Sequence, residues 1–296
     1  MDLRQLEYFV TTGQLENITR AAERLFVSQP NITMSIRKLE QELGVQLFER
    51  KQKQFSLTPQ GKLFLERIEP ALWMIRNATA EVKDTQQQTG GTINLGIPPM
   101  ISSFIFAPIL QHFRTLYPQR ELTIMEEGSL GIRNILMAGE LDLGIVIITD
   151  PPPSLETIPL LTCRHLLCLP VQHPLAQKET IDLADLRDQP LILMKRDSYH
   201  RRVLLQECEK LNFTPNVVLS SNQIHTNIDL VAKGVGLSFL LDAAVLNTPD
   251  VVTRPMAKGF SVDVGLAWRR DKYLSYASRD LIKFVRDYVS THFKTP

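Results

Sequence analysis

The sequence predicts an α/β domain set behind a small helical head and one long helix. Three observations predict it. Residues 1–58 read as short helices broken by tight turns, and residues 59–91 carry a helical apolar seam that ends in a polar, glycine-containing stretch. Beyond Gly91, short apolar runs alternate with amphipathic segments, the pattern of a sheet buried on both faces. The length agrees, since 296 residues exceed the roughly 150 expected of one domain.

In chain order, Asp2 is placed to cap a first helix whose Leu3, Leu6, Phe9 and Val10 share a face, and Gly13 to end it. Asn17 caps a second helix with Ala21, Ala22 and Leu25 inward. Ser28 caps a third, with Pro30 in the first turn, where a missing N–H costs little. Ile32, Ile36 and Leu39 then define one buried stripe. Arg50-Lys51-Gln52-Lys53 reads as a basic loop between two short strands. The long helix carries the seam Phe64, Ile68, Leu72, Ile75, Thr79 and Val82, which needs a partner. Pro70 should kink or restart it.

Strands are expected at Ile93–Ile97, Leu122–Met125, Leu143–Ile148, Leu166–Leu169, Leu191–Met194, Val217–Leu219, Leu237–Leu241 and Val262–Trp268. Helices are expected at Phe104–Leu116, Ile132–Ala138, Arg202–Leu211, Ile224–Lys233 and Ala277–Phe293.

Composition narrows the class. A hydrophobic fraction of 44% and a charged fraction of 22% exclude a disordered or collagen-like chain. Three cysteines are too few for a disulfide scaffold, and the start MDLRQLEYFV has no signal-peptide pattern. No apolar run approaches the roughly 18–20 residues of a membrane span, so a cytoplasmic protein without a membrane partner is expected. Net charge names no partner: residues 1–88 hold 12 Lys+Arg against 11 Asp+Glu, and residues 89–296 hold 21 of each. The cations are concentrated locally instead, at Arg37, Lys38, Arg50, Lys51 and Lys53.

The third helix turns Pro30, Met34, Arg37 and Lys38 away from its buried stripe, with Thr33 at the shoulder and Gln29 at the tip. Gln suits adenine edges, apolar groups suit the thymine methyl, and Arg and Lys suit guanine or phosphate. Together with the preceding helix and turn this forms a helix-turn-helix. A small bundle whose charged face meets only water is the alternative.

Over residues 3–61 the sequence resembles the LysR-type transcriptional regulators. The resemblance rests on Asn17-Ile-Thr-Arg-Ala-Ala-Glu-Arg-Leu25, Val27-Ser-Gln-Pro30, Ile36-Arg-Lys-Leu-Glu40, Leu43-Gly-Val45, Leu47-Phe-Glu-Arg50 and Leu57-Thr-Pro-Gln-Gly61. Looser landmarks follow at Leu95-Gly-Ile97, Phe113-Arg-Thr-Leu-Tyr-Pro118, Gly139-Glu-Leu-Asp-Leu-Gly-Ile145, His173-Pro-Leu175 and Val231-Ala-Lys-Gly-Val-Gly-Leu237. Thr33 departs from the Ser common at its position, and Asn31-Ile32 from a common Ala-Leu pair.

The resemblance implies a winged helix-turn-helix DNA-binding domain (1–58), a dimerising linker helix and hinge (59–91), and a periplasmic-binding-protein-like α/β effector domain. Subdomain I would be 92–161 with 268–296 and subdomain II 162–267, with strand crossings near Leu161–Thr162 and Leu266–Trp268. Gln29, Pro30, Thr33 and Met34 would face bases, and Thr19, Arg37 and Lys38 would sit on the backbone. Arg50 would be the wing's groove contact, and Ser28 and Lys53 would be further DNA-binding residues. The effector cleft is expected to draw on Pro99, Met100, Ile101, Ser102, Ser103, Gly128, Ser129, Ile148, Thr149, Ser198, Tyr199, Arg201 and His225, a carboxylate being one candidate ligand. Implied partners are double-stranded DNA with an inverted-repeat-like operator, a small-molecule effector, a second copy giving dimers and tetramers, and RNA polymerase.

An enzyme is not expected: no Gly-x-Ser-x-Gly elbow, P-loop, dinucleotide fingerprint or His-Glu-x-x-His appears. Cys163, His165, Cys168 and His173 cluster in the manner of zinc ligands, but strand alternation points Cys168 away from the first two. No metal or cofactor is expected. Cys208, flanked by Glu207 and Glu209, is unsuited to a reactive thiolate.

Overall fold

The computed structural model describes residues 1–51, 54–85, 90–244, 249–257 and 261–292. The chain divides into two compact units, Met1–Lys83 and Asp84–Pro296.

In the first unit, Asp2 caps α1 (Leu3–Leu15) through a reciprocal capping box with Gln5. Gly13, expected to end α1, lies inside it and is buried. Its missing side chain lets Leu57 and Leu65 come to 3.4 Å of where a Cβ would sit. The stop is Glu16, in the left-handed conformation at φ 43°. Asn17 caps α2 (Ile18–Arg24) by accepting from the Arg20 N–H, as its position predicts. Helix α3 (Gln29–Leu43) starts after Ser28, whose hydroxyl makes no capping bond, and ends at Gly44 with φ 69°, where glycine carries no steric penalty.

Phe9, Ile32, Leu39 and Leu47 are essentially fully buried between these helices. Strands β1 (Phe48–Lys51) and β2 (Gln54–Leu57) form an antiparallel hairpin, pinned by the Phe48–Phe55 stack at 4.7 Å. The buried Glu40 carboxylate accepts from the Leu47 and Phe48 N–H groups at 2.7 and 3.2 Å. Two charge-assisted bonds thereby fasten the end of α3 to the hairpin.

Helix α4 (Pro59–Asp84) runs unbroken through Pro70, so the proline does not restart it. Pro70 is exposed and forgoes one backbone hydrogen bond, a loss the remaining turns absorb. The expected seam divides in two. Phe64, Ile68 and Leu72 pack on the core of the first unit, whereas Ile75 and Val82 are exposed, as are Leu63 and Met74.

The second unit holds one sheet in the order β4-β3-β5-β11-β6-β9-β7-β8, with β10 also paired to β6. On one side β3 (Thr92–Ile97) lies parallel to β4 (Glu121–Glu126) and β5 (Leu143–Ile147), with α5 (Pro99–Leu116) and α6 (Ser129–Met137) as crossovers. On the other, β7 (Pro190–Leu193) lies parallel to β8 (Asn216–Ser220) and β9 (Leu237–Leu241), joined by α7 (Tyr199–Lys210) and α8 (Ile224–Ala232).

Two long strands, β6 (Leu155–Pro170) and β11 (Ser261–Arg269), run antiparallel between these lobes. The strand expected at Leu166–Leu169 is only the last part of β6. Pro159 and the polar Thr157, Thr162 and Arg164 hid its first part, because they interrupt the apolar run while lying on exposed or half-buried positions. The register slips at Val264/Gly265, and β11 pairs with β5 from Val264 to Ala267. The segment at which the sequence suggests a crossing, Leu266–Trp268, lies within β11.

Strand β10 (Val251–Pro255) borders the second lobe, and α9 (Tyr276–His292) packs Leu281 and Val285 into the main core with Ile101, Ile105 and Phe113 of α5. Both faces of the sheet are covered, and the central strands β5 and β9 are buried along their whole length.

Candidate functional site

The first candidate site is the outward face of α3. Because Ile32, Ile36 and Leu39 are held in the core, the 3.6-residue period leaves Gln29, Pro30, Thr33, Met34, Arg37 and Lys38 on one open surface, continued by Gln41. All are exposed except Thr33, which is half-buried. Met34 leaves 54% of its surface open, an apolar group without a core to join. The Gln29 Nε2 donates to Thr19 Oγ1 at 2.7 Å, so α2 orients the first polar side chain of α3. Thr19, expected at the DNA backbone, is thus also the partner that positions Gln29.

Just before Ser28, the turn carries Phe26 at φ 53° and 95% exposed, a residue the sequence reading did not single out. In the hairpin, Arg50 belongs to β1 opposite Phe55 rather than to a loop. Lys53 lies outside the described residues.

The second candidate site lies in the second unit, where strand ends of the two lobes meet. The expected residues stand in different settings. Met100 and Ile101 are buried in the core, and the Met100 sulfur accepts from the Leu241 N–H at 3.3 Å. The Ser129 hydroxyl is buried and accepts from the Ile147 N–H at 2.9 Å. Ser103 bonds back to the Met100 carbonyl, while Pro99, Ser102 and Ile148 are half-buried and Thr149 is exposed. Ser198 stands at the cap position of α7 and is buried. His225, in the first turn of α8, is exposed.

Gly128 is different: it stands against Asp197 of the opposite lobe and donates its N–H to Asp197 Oδ2 at 2.5 Å.

Arg201 borders a small apolar cleft at the start of α7, with His165, Leu193, Met194 and Leu204, and Tyr199 is the first residue of that helix. Arg201 donates to the Met194 carbonyl at 3.0 Å and to Ser220 Oγ at 2.6 Å, and Arg202 lies over the Tyr199 ring at 5.1 Å. Burial lowers the Arg201 pKa, and neighbouring Arg196 lowers it further. Beside Arg201, the His165 Nε2 faces the His200 Nδ1 within hydrogen-bonding distance, their rings edge-to-face at 4.4 Å. Burial holds His200 well below the usual imidazole range, and His165 pushes it lower, so the His200 ring is neutral at physiological pH. The pairing joins β6 to α7 across 35 residues of sequence, and no local spacing announces it.

The zinc cluster weighed from sequence dissolves: Cys163, His165 and Cys168 are buried on β6, with His165 turned to His200. Among the described residues no group of three or more His, Cys, Asp or Glu is placed to hold a metal. Nor is any helix among them long and apolar enough to cross a membrane.

A model of the bacterial regulatory helix-turn-helix proteins of the lysR family matches residues 3–62, and a model of the LysR substrate binding domain matches residues 86–290. The chain belongs to the LysR family. It is a DNA-binding transcriptional regulator with an effector-binding domain, and not an enzyme. Relatives include the HTH-type transcriptional regulator AlsR of Bacillus subtilis, 30% identical with 92% of each chain covered. The regulator YwbI of the same organism is 29% identical over 98% of this chain and 97% of its own. Among solved structures, a full-length OxyR of Pseudomonas aeruginosa is 28% identical with a TM-score of 0.60, covering 98% of this chain and 99% of that one. HinK, a LysR family regulator of the same organism, is 28% identical with a TM-score of 0.58, covering 97% and 98%. The winged helix-turn-helix and the mixed α/β sheet are those of the family.

Proposed function

We propose that this LysR-family regulator binds an inverted-repeat-like operator in double-stranded DNA as a homo-oligomer and responds to a small-molecule effector. The observation that carries the DNA reading is the face of α3. One helix presents an oriented amide, a hydroxyl, an exposed thioether and two cations, which is base-reading chemistry beside phosphate-binding chemistry. In this reading Arg50 is the wing's groove contact, Thr19 adds a backbone contact, and Ser28 and Lys53 are further DNA-binding residues.

Linker 59–91 is the dimer element, with dimers pairing into tetramers. Its support is the exposed apolar set Leu63, Met74, Ile75 and Val82 on α4, 45–72% open, which an isolated helix would leave in water. The effector enters between subdomain I (92–161 with 268–296) and subdomain II (162–267). Entry shifts the population of hinge angles and so the spacing of the DNA-binding heads. RNA polymerase is the further partner such a cytoplasmic regulator addresses.

Footprinting on a cognate promoter fragment, with and without a panel of small carboxylates, tests this. The expected outcome is paired protection at half-sites about 10 bp or a multiple apart, changing in extent when the effector is present. Protection of one isolated half-site, unaltered by dilution, would sink the dimer reading.

A further inference from the structure

Helix α6 begins at the lobe boundary with a first turn whose N–H groups have no partner within the helix. Two of these orphan positions are filled from the other lobe, by one residue. Asp197, in the segment between β7 and α7, accepts the Gly128 N–H on its Oδ2 at 2.5 Å and the Leu130 N–H on its main-chain oxygen at 3.1 Å. A carboxylate is the side chain that the positive end of a helix favours.

The approach is close enough to dictate a residue type. A Cβ at Gly128 would lie 2.4 Å from the Asp197 carbonyl oxygen and 2.5 Å from its carbon. Only glycine admits backbone at that distance. The glycine that the sequence suggests for ligand binding is therefore occupied by the protein itself.

The contact is also not a fully satisfied one. Asp197 Oδ1 is buried without a hydrogen-bond partner among the described residues. The neighbouring Glu127 is raised above the usual carboxylate range, by burial first, by the Asp197 charge next and then by a side-chain hydrogen bond with Asp197, with Lys195 opposing. Buried polar groups are ordinarily paired. A contact that leaves Oδ1 without a hydrogen bond falls short of its full strength.

We propose that Asp197 is a strap across the effector cleft: its carboxylate and carbonyl cap the amino terminus of α6 and hold the two lobes together until the hinge opens. The proposal rests on reading the second unit as a hinged receptor, because β6 and β11 are shared by both lobes and the strap spans the gap beside them. Opening the cleft then requires releasing Gly128 and Leu130 from Asp197. Asp197 and Gly128 thereby set the resting balance between closed and open forms.

Hydrogen exchange on the full-length protein with no added ligand reads the strap directly. Uncapped first-turn amides of a helix exchange fast, so protection of Gly128 and Leu130 in a peptide spanning residues 126–131 is its signature. Asp197→Ala should speed that exchange at least tenfold while leaving β3 and β5 unchanged. Asp197→Asn, which retains an acceptor, should fall between the two. Gly128→Ala should reproduce the Asp197→Ala pattern by forcing the backbones apart. Two results would overturn the proposal: wild-type amides already exchanging at the uncapped rate, or no change on Asp197→Ala. The Asn variant guards against misfolding of the other two. Because no effector is used, a strap that fails leaves the effector reading standing, and a fruitless effector search leaves the strap standing.

Discussion

On α3, Gln29, Pro30, Thr33, Met34, Arg37 and Lys38 share a surface because one helix returns every 3.6 residues. In the second unit, Gly128 meets Asp197 and His165 meets His200 because separate strands and helices end side by side. The first site spans ten residues of chain; the second joins segments 69 and 35 residues apart. A one-helix site is robust to details of packing elsewhere, since its geometry is the helix itself. A site assembled from loops depends on every element that carries it.

The largest effect that would test this contrast is on the core beneath α3. Leu39 is fully buried in a cluster confined to the first unit. Leu39→Ala should cost about 2–5 kcal/mol and abolish specific DNA binding. Unfolding followed by calorimetry should show the transition of the second unit unmoved. A common shift of both transitions would mean that the two units do not melt separately.

A smaller effect separates roles within the α3 face. Gln29→Ala should relax preference at particular base pairs by about 1–3 kcal/mol each. Arg37→Ala and Lys38→Ala should weaken binding to all sequences and reduce its salt dependence. Binding-site selection with each variant distinguishes the two patterns. If Gln29→Ala retained full sequence preference, the oriented amide would be a structural link to Thr19 and nothing more.

The smallest expected effect concerns the thiols of the second unit. Burial pushes Cys163 and Cys168 up to about 12, with Asp242 adding to Cys163, and Cys208 up to about 11. At pH 8 even Cys208 is then a thiolate in only about one molecule in a thousand. Mass spectrometry after a modest excess of peroxide should find all three cysteines reduced and DNA binding unchanged. Rapid oxidation of any of them would make the second unit a redox sensor instead of a ligand receptor.

The open face of α3 is readable in the sequence because burial of Ile32, Ile36 and Leu39 determines where the other α3 residues point. The alternating architecture was readable for the same reason, period by period. Other features were not. Gly13 reads as a stop, yet α1 continues through it and ends at the left-handed Glu16. Most of β6 was invisible because a strand passing between lobes tolerates polar residues and Pro159. Asp197 and His200 lie beside Ser198, Tyr199 and Arg201, which the sequence offers for the cleft, but their partners Gly128 and His165 can be assigned only from the sheet. Glu40 reads as an ordinary surface acid until the hairpin that it fastens is in view.

The two long strands shared by the lobes have a consequence for how the protein is made. Strand β11, residues Ser261–Arg269, supplies the neighbour of β5 and the partner of β6. The sheet of the second unit therefore cannot close until the ribosome has released β11. At roughly 5–20 residues per second, that is on the order of 10–35 s after the first unit has emerged. The head, whose contacts lie within Met1–Lys83, can form during that interval. A nascent regulator thus carries a folded DNA-binding head before the domain that is to govern it exists.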